Sequence, residues 1–208
     1  MLHISHIKTS SLADYVEPRA HDTIIVMPTT DMKLARRAAE VMSRRTDREG
    51  LLVIAEDDLR LGFIATANSV YNKTRSACFG YVAQDAFAGQ YWLDYGLHAL
   101  EKSRAGLLAF NDGRFFGKIA VFGLAMRRWL KSVYGQGVFY TGYHSHFADT
   151  ELSVIALASG NLVFNPNALL VEVDYEKHLH GNDPADESLY RERAGQGFDG
   201  RIEPFTPA

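Results

Sequence analysis

Apolar residues in this chain fall in short unbroken runs separated by stretches with helical spacing. The run TIIVM at residues 23–27 is β-branched and closed by Pro28, and it predicts a buried strand. Thr29, Thr30 and Asp31 come next as N-cap residues. Leu34, Ala35, Ala38, Val41 and Met42 then recur at helical spacing until the chain breaks near residues 47–50. LLVIA at 51–55 predicts a second buried strand, ending in Glu56, Asp57 and Asp58. Strand, helix and strand in this order open a parallel sheet with a right-handed crossover. A helix is expected over about 66–75, and a third strand over 79–83 that ends at Gln84-Asp85.

Trp92, Tyr95 and Ala99 mark another helix closing near Ser103, and residues 106–110 a short strand before the turn Asn111-Asp112-Gly113. The second half is less regular. Strands are expected at 118–122 and 138–140, with a helix over 125–134 stopped by Gly135. A further helix begins after Phe147-Ala148-Asp149 and ends at Gly160, and two final strands are expected at 162–164 and 169–173. Residues 1–21 read as a short arm or a lead-in strand, 22–181 as one α/β domain, and 182–208 as a loosely ordered tail or closing flap.

The 208 residues suit one domain with a substantial core. Hydrophobic residues make up 47% and charged residues 23%, an ordinary globular balance. The formal net charge of -3 implies no general polyanion-binding surface. Arg36, Arg37, Arg44, Arg45 and Arg48 cluster, and a solvated helix face explains them. Cys78 is the single cysteine, so no internal disulfide can form, and its apolar run suits a small buried hydrophobe. No apolar stretch is long enough to span a bilayer, and MLHISHIKTSS lacks the regions of a signal peptide. A cytoplasmic location is expected.

Ligands bind outside the carboxyl ends of the strands in open parallel sheets. Those ends are Pro28-Thr29-Thr30-Asp31, Glu56-Asp57-Asp58, Gln84-Asp85 and Asn111-Asp112-Gly113. Asp and Asn favour turns and caps, which explains any one of these ends. Their succession points to a binding site. No GxGxxG or GxxxxGKS loop is present, which argues against a dinucleotide site and a P-loop. A bound diphosphate would then need a divalent cation on a strand-end carboxylate, with magnesium or manganese suiting such oxygen ligands. Asp149 and Glu151 begin a helix, where they serve as N-cap and dipole partners or place a general base. His178 and His180 stand at i and i+2 on an extended segment and point to opposite sides, so one of them, not both, could ligate a metal. His144 and His146 pose the same choice.

Taken in order, these features resemble the GT-A glycosyltransferases, most closely the family 2-like members. The resemblance covers roughly residues 22–181 and rests on TIIVMPTTD, VIAEDD, the Asn-bearing TANSVYNKTR, YVAQDAFAGQYW, GLLAFNDG, YHSHFADTELS and VEVDYEKHLHG. It implies a three-layer α/β sandwich with a mostly parallel central sheet. It implies a transfer from a nucleotide-diphosphate sugar, such as a UDP-sugar, to an acceptor hydroxyl on a glycan or another molecule. Pro28, Thr29, Asp31, Glu56, Asp57, Asn68, Gln84 and Asp85 would line the donor. Asp85 would bind a manganese or magnesium ion, with His180, or else His178, as a late ligand. Asp149 would be the base of an inverting transfer, with Glu151 as substitute. The sequence departs from the family at the metal turn, where Gln84-Asp85-Ala86 carries one carboxylate in place of a pair or triplet. That departure favours one alternative, a lapsed GT-A-like module that binds a sugar nucleotide or scaffolds a partner; a second alternative, a sugar nucleotidyltransferase, ranks lower because Pro28-Thr29-Thr30-Asp31 does not resemble the Gly-rich, basic loop it would need after the first strand. A nucleic-acid acceptor finds no support in the net charge.

Overall fold

The computed structural model describes residues 1–15, 20–173 and 181–207. Strands β1 (Leu2–Lys8), β2 (Thr23–Thr29), β3 (Gly50–Glu56), β4 (Cys78–Tyr81), β5 (Ala86–Ala88), β6 (Leu107–Asn111), β7 (Gly123–Met126) and β8 (Leu162–Glu172) form one sheet in the order β1-β3-β2-β4-β7-β6-β8-β5. Strand β3 pairs in parallel with β1 and β2, and β2 with β4; β7 runs antiparallel between β4 and β6. The carboxyl ends of β3, β2, β4 and β6 therefore share one edge, as the strand-helix-strand order requires.

Both faces of the sheet are covered, which is why its central strands read as continuous apolar runs. Ile25, Met27, Leu52 and Ile54 face α1 (Met32–Arg44) and α3 (Trp92–Ser103). Ile24, Val26, Leu51 and Val53 face the other way, into a core shared with α2 (Phe63–Lys73), α4 (Arg127–Tyr134), α5 (Ala148–Ala158) and α6 (Pro184–Gly195). Two layers of helix around a mostly parallel sheet give the expected three-layer sandwich. Among the described residues no helix is long and apolar enough to cross a membrane.

Several segments differ from the sequence expectation for identifiable reasons. Residues 118–122 and 138–140 are not strands. The Ala120 N–H donates to Ser153 Oγ at 2.8 Å, and its carbonyl accepts from the Tyr81 hydroxyl at 2.7 Å. The Val138 and Phe139 N–H groups both donate to Asn68 Oδ1, at 2.8 and 2.9 Å. Side chains thus take up backbone groups that a neighbouring strand would otherwise use. The two final strands are one, β8, whose pairing with β6 shifts register between Ala109 and Asn111. The first residues form β1, at the sheet edge.

The largest difference lies at the C-terminus. The segment expected to be loose forms α6 and a short turn, α7 (Gly197–Gly200), with Tyr190, Ala194 and Phe198 buried. Its acidic and Gly-rich composition hides a standard helix start: Asp183 caps α6, Pro184 opens it, and Asp186 and Glu187 sit in the first turn.

Candidate active site

The turn after β2 and the end of β4 are tied by one side chain. Gln84 Oε1 accepts from the Thr29 hydroxyl and from the N–H groups of Thr30 and Asp31, both at 3.1 Å. Asp31 caps α1, its Oδ1 accepting from Lys33 and Leu34 at 2.9 and 3.0 Å. Pro28 and Thr29 are buried within β2. Thr29 is therefore a brace for Gln84, while Asp31 stays exposed beside it.

The acids after β3 divide by task. Asp57 is buried and accepts from the N–H groups of Leu61 and Gly62, each at 2.8 Å, closing the turn into α2. Asp58 binds Ser10 and Thr9, which hold its carboxyl down at about 2. Glu56 is half-buried and pairs with His6 at 2.8 Å. Asn68 is buried and spends both ends of its amide on residues 138 and 139, as its Nδ2 also donates to the Phe139 carbonyl at 3.0 Å. These contacts give Asn68 and Asp57 structural work, away from any open surface.

Asp85 is half-buried beyond β4, and its carbonyl accepts from Val173 N–H at 3.3 Å. His178 and His180, expected as late metal ligands, lie outside the described residues. Among the described residues no group of three His, Cys, Asp or Glu side chains could hold a metal. With the Gln84 oxygen engaged, Asp85 is the one carboxylate of the turn that follows β4. One carboxylate completed by substrate phosphates and water is a donor set that magnesium accepts, so the turn fits an ion carried largely by a diphosphate.

Asp149 stands in the first turn of α5, half-buried. Burial pushes its carboxyl above the usual range, against hydrogen bonds from the Thr150 N–H at 2.7 Å and the Thr150 hydroxyl. The Tyr81 phenol is raised by its own burial and, to a lesser extent, by the charge of Asp149. Ser153, one turn along α5, donates to the Asp149 carbonyl at 2.6 Å and receives the Ala120 N–H. The first turn of α5, which carries the base candidate, is thus tied through Ala120 to Tyr81 of β4.

Glu151 has a different fate from the one expected of a substitute base. It is fully buried and accepts from the hydroxyls of Tyr134 and Tyr143, at 3.0 and 2.8 Å, and from Nε and Nη2 of Arg193, both at 2.8 Å. Arg193 also stacks over the Tyr140 ring at 3.4 Å and reaches Asp199. With four donors on its two oxygens and no opening to solvent, Glu151 is a structural anion.

Sequence reasoning missed what holds the loop before Asp149. Asp186 of α6 is buried and accepts from three successive N–H groups: His144 at 2.9 Å, Ser145 at 2.7 Å and His146 at 2.8 Å. Burial works to raise the Asp186 carboxyl, but these donors outweigh it and hold it low. His146 Nδ1 accepts from the Asp183 N–H at 3.2 Å, and Phe147 stacks on Tyr190 at 5.1 Å. The DPADE helix start was the available signal.

No protein-family model and no curated protein matches the sequence. Solved structures do match it in shape. The mannosyltransferase PcManGT of Pyrobaculum calidifontis, solved with GDP-Man and Mn2+, superposes with a TM-score of 0.57 at 11% identity, covering 83% of this chain and 68% of that one. Drosophila β-1,4-galactosyltransferase 7, solved as a mutant with manganese, UDP-Gal and xylobiose, gives 0.59 at 14%, covering 83% and 80%. S. aureus TarS with UDP-GlcNAc gives 0.62 at 8%, covering 88% and 68%. At these identities the likeness speaks to the fold, and the fold is that of the GT-A glycosyltransferases.

Proposed function

We propose that the chain is a glycosyltransferase that moves a sugar from a nucleotide-diphosphate donor, such as a UDP-sugar, to an acceptor hydroxyl. One observation carries the reading: Asp149, a half-buried carboxyl with a raised pKa, stands in the first turn of α5, which Ser153 and Ala120 tie to Tyr81 at the end of β4, the strand that leads to Asp85. The GT-A fold and the nucleotide sugars bound by its structural neighbours support it. A cytoplasmic location fits the lone, buried Cys78.

Donor contacts come from Asp31, Glu56 and Asp85, which keep access to solvent, and Gln84 fixes the distance between two of them. When bound at Asp85, a divalent ion supplies counter-charge to the diphosphate. Asp149 accepts the proton of the acceptor hydroxyl as that oxygen bonds to the anomeric carbon. The bond from this carbon to the phosphate oxygen breaks, and the nucleoside diphosphate leaves with the electron pair. Attack from the face opposite the leaving group inverts the anomeric centre. A carboxyl with a raised pKa is the stronger base once ionised.

Calorimetry with UDP-sugars and GDP-sugars, with and without manganese, tests the donor side. Asp85→Ala is expected to weaken donor binding about tenfold or more and to remove any manganese dependence. Unchanged binding in that variant would remove Asp85 from the site. A second reading, a donor-binding module without turnover, is favoured by the single carboxylate at the metal turn. Donor binding with no transfer or hydrolysis would select it.

A further inference from the structure

We infer that the loop joining β6 to β7 is an acceptor subsite for a saccharide bearing negative charge, with Phe116 as the stacking platform and Arg114 and Lys118 as counter-charges. The inference deepens the transferase reading and rests on it for the identity of the reaction. Phe116 is 63% exposed, a large aromatic surface left to solvent. Its φ of 48° lies in the left-handed region, where a bulky side chain is rare and strained.

The surrounding backbone holds that conformation. Asp112, buried, accepts from the N–H groups of Arg114 and Phe115 at 3.0 and 2.9 Å. The Lys118 N–H donates to the Phe115 carbonyl at 3.0 Å. Gly117, with φ of 82°, packs on Phe164 so closely that a Cβ would lie 2.5 Å from its ring. The loop is therefore a fixed mount that displays one aromatic ring.

Its place in the fold says what the ring is for. The loop leaves β6 at Asn111, one of the strand ends of the donor edge. It returns through Ala120, whose N–H and carbonyl are bonded to Ser153 of α5 and to Tyr81 of β4. Ser153 in turn donates to the Asp149 carbonyl at 2.6 Å. The returning end of the loop is thus bonded to the helix that carries Asp149, which puts the loop and the base candidate on neighbouring elements. The negative face of an aromatic ring attracts the polarised C–H groups of a pyranose.

Charge narrows the class. Arg114 and Lys118 are exposed, and neither has a carboxylate partner among the described residues. The donor edge, by contrast, carries Asp31, Glu56, Asp58 and Asp85. The Arg114 guanidinium lies over the Phe115 ring at 4.9 Å, and two exposed cations on the loop that displays Phe116 suit a sugar carrying a carboxylate or a phosphate. A nucleic acid is disfavoured, because single-strand binders stack successive bases on several aromatic rings along a basic groove, and this loop exposes one ring next to an acidic edge.

The test is direct binding of four probes, measured by calorimetry or by NMR of the loop amides. The probes are a glucuronate-containing disaccharide, a hexose phosphate, neutral cellobiose and a short oligothymidylate. The first or second is expected to bind at least about threefold more tightly than cellobiose, and which one leads identifies the anionic group. Phe116→Ala is expected to weaken it about tenfold at unchanged melting temperature, while Phe116→Trp retains it. The double variant Arg114→Gln/Lys118→Gln should erase the preference over cellobiose. Tighter binding of the oligonucleotide, equal binding of charged and neutral sugars, no sugar binding, or an unaffected Phe116→Ala variant would each overturn the inference. Failure of the transferase reading shows separately, as absent nucleotide-sugar binding by a protein whose loop still takes saccharides.

Discussion

At the donor edge, Gln84 ties β4 to the turn after β2, and Asp57 closes the turn after β3 on itself. Residues at each strand's own end do the holding. On the base side, the loop carrying His144 to Asp149 is held by Asp186, and the helix behind it by Arg193, both from α6. The strand-end turns are thus assembled with the sheet, whereas the loop that leads to Asp149 is positioned by α6, far along the chain. The geometry on the acceptor side should accordingly be lost by changes that leave donor binding intact.

Arg193 is where this difference is tested most severely. Arg193→Ala strands a buried, charged Glu151 and should remove about 3–5 kcal/mol of stability, read from urea unfolding. A loss within ~1 kcal/mol would mean that water reaches Glu151 in place of the guanidinium, and that α6 holds the loop before Asp149 weakly. Next comes Asp186→Ala, which leaves the N–H groups of residues 144–146 without their acceptor and should remove about 1–3 kcal/mol. Turnover is expected to fall while the donor dissociation constant stays unchanged; equal losses in both would show that the two sides are coupled.

The smallest effect concerns Asp149 and pH. Its folded-state pKa is raised, so the folded protein binds this proton more tightly than the unfolded chain does. The group is then neutral about equally in both states below the ordinary carboxylate range. Stability is lost as pH rises from there through the raised value. Asp149→Asn should be more stable than the parent at neutral pH, with the advantage fading on acidification, in melting temperatures taken across pH. An advantage that grows toward acid would reverse the assignment.

The donor edge is legible in the sequence because its strands are buried on both faces and end in turn residues, so TIIVM, LLVIA and FGYVA stand out from the polar turns at their ends. The acid positions are legible too, but their tasks are not. Asp57, Asn68 and Glu151 look alike as polar residues near the site, and only long-range contacts separate a turn closure, a substitute strand partner and a buried ion pair. Residues 118–122 and 138–140 have strand-like composition, yet Ala120, Val138 and Phe139 find their backbone partners in the side chains of Ser153, Tyr81 and Asn68, which no periodicity encodes. The final helix is hidden by composition: acidic and glycine residues outweigh the cap at Asp183 and the spacing of Tyr190, Arg193 and Ala194.

Asp149 as the base of a sugar transfer whose donor sits at Asp85 is open to one decisive test. That test is single-turnover conversion of the tightest-binding nucleotide sugar, to acceptor or to water, by the parent and by Asp149→Asn, with donor binding measured on the same samples. The account predicts a rate at least about a hundredfold lower in the variant, within the usual contribution of a general base, at an unchanged donor dissociation constant. An Asp149→Asn protein that turns over its donor as fast as the parent would contradict it.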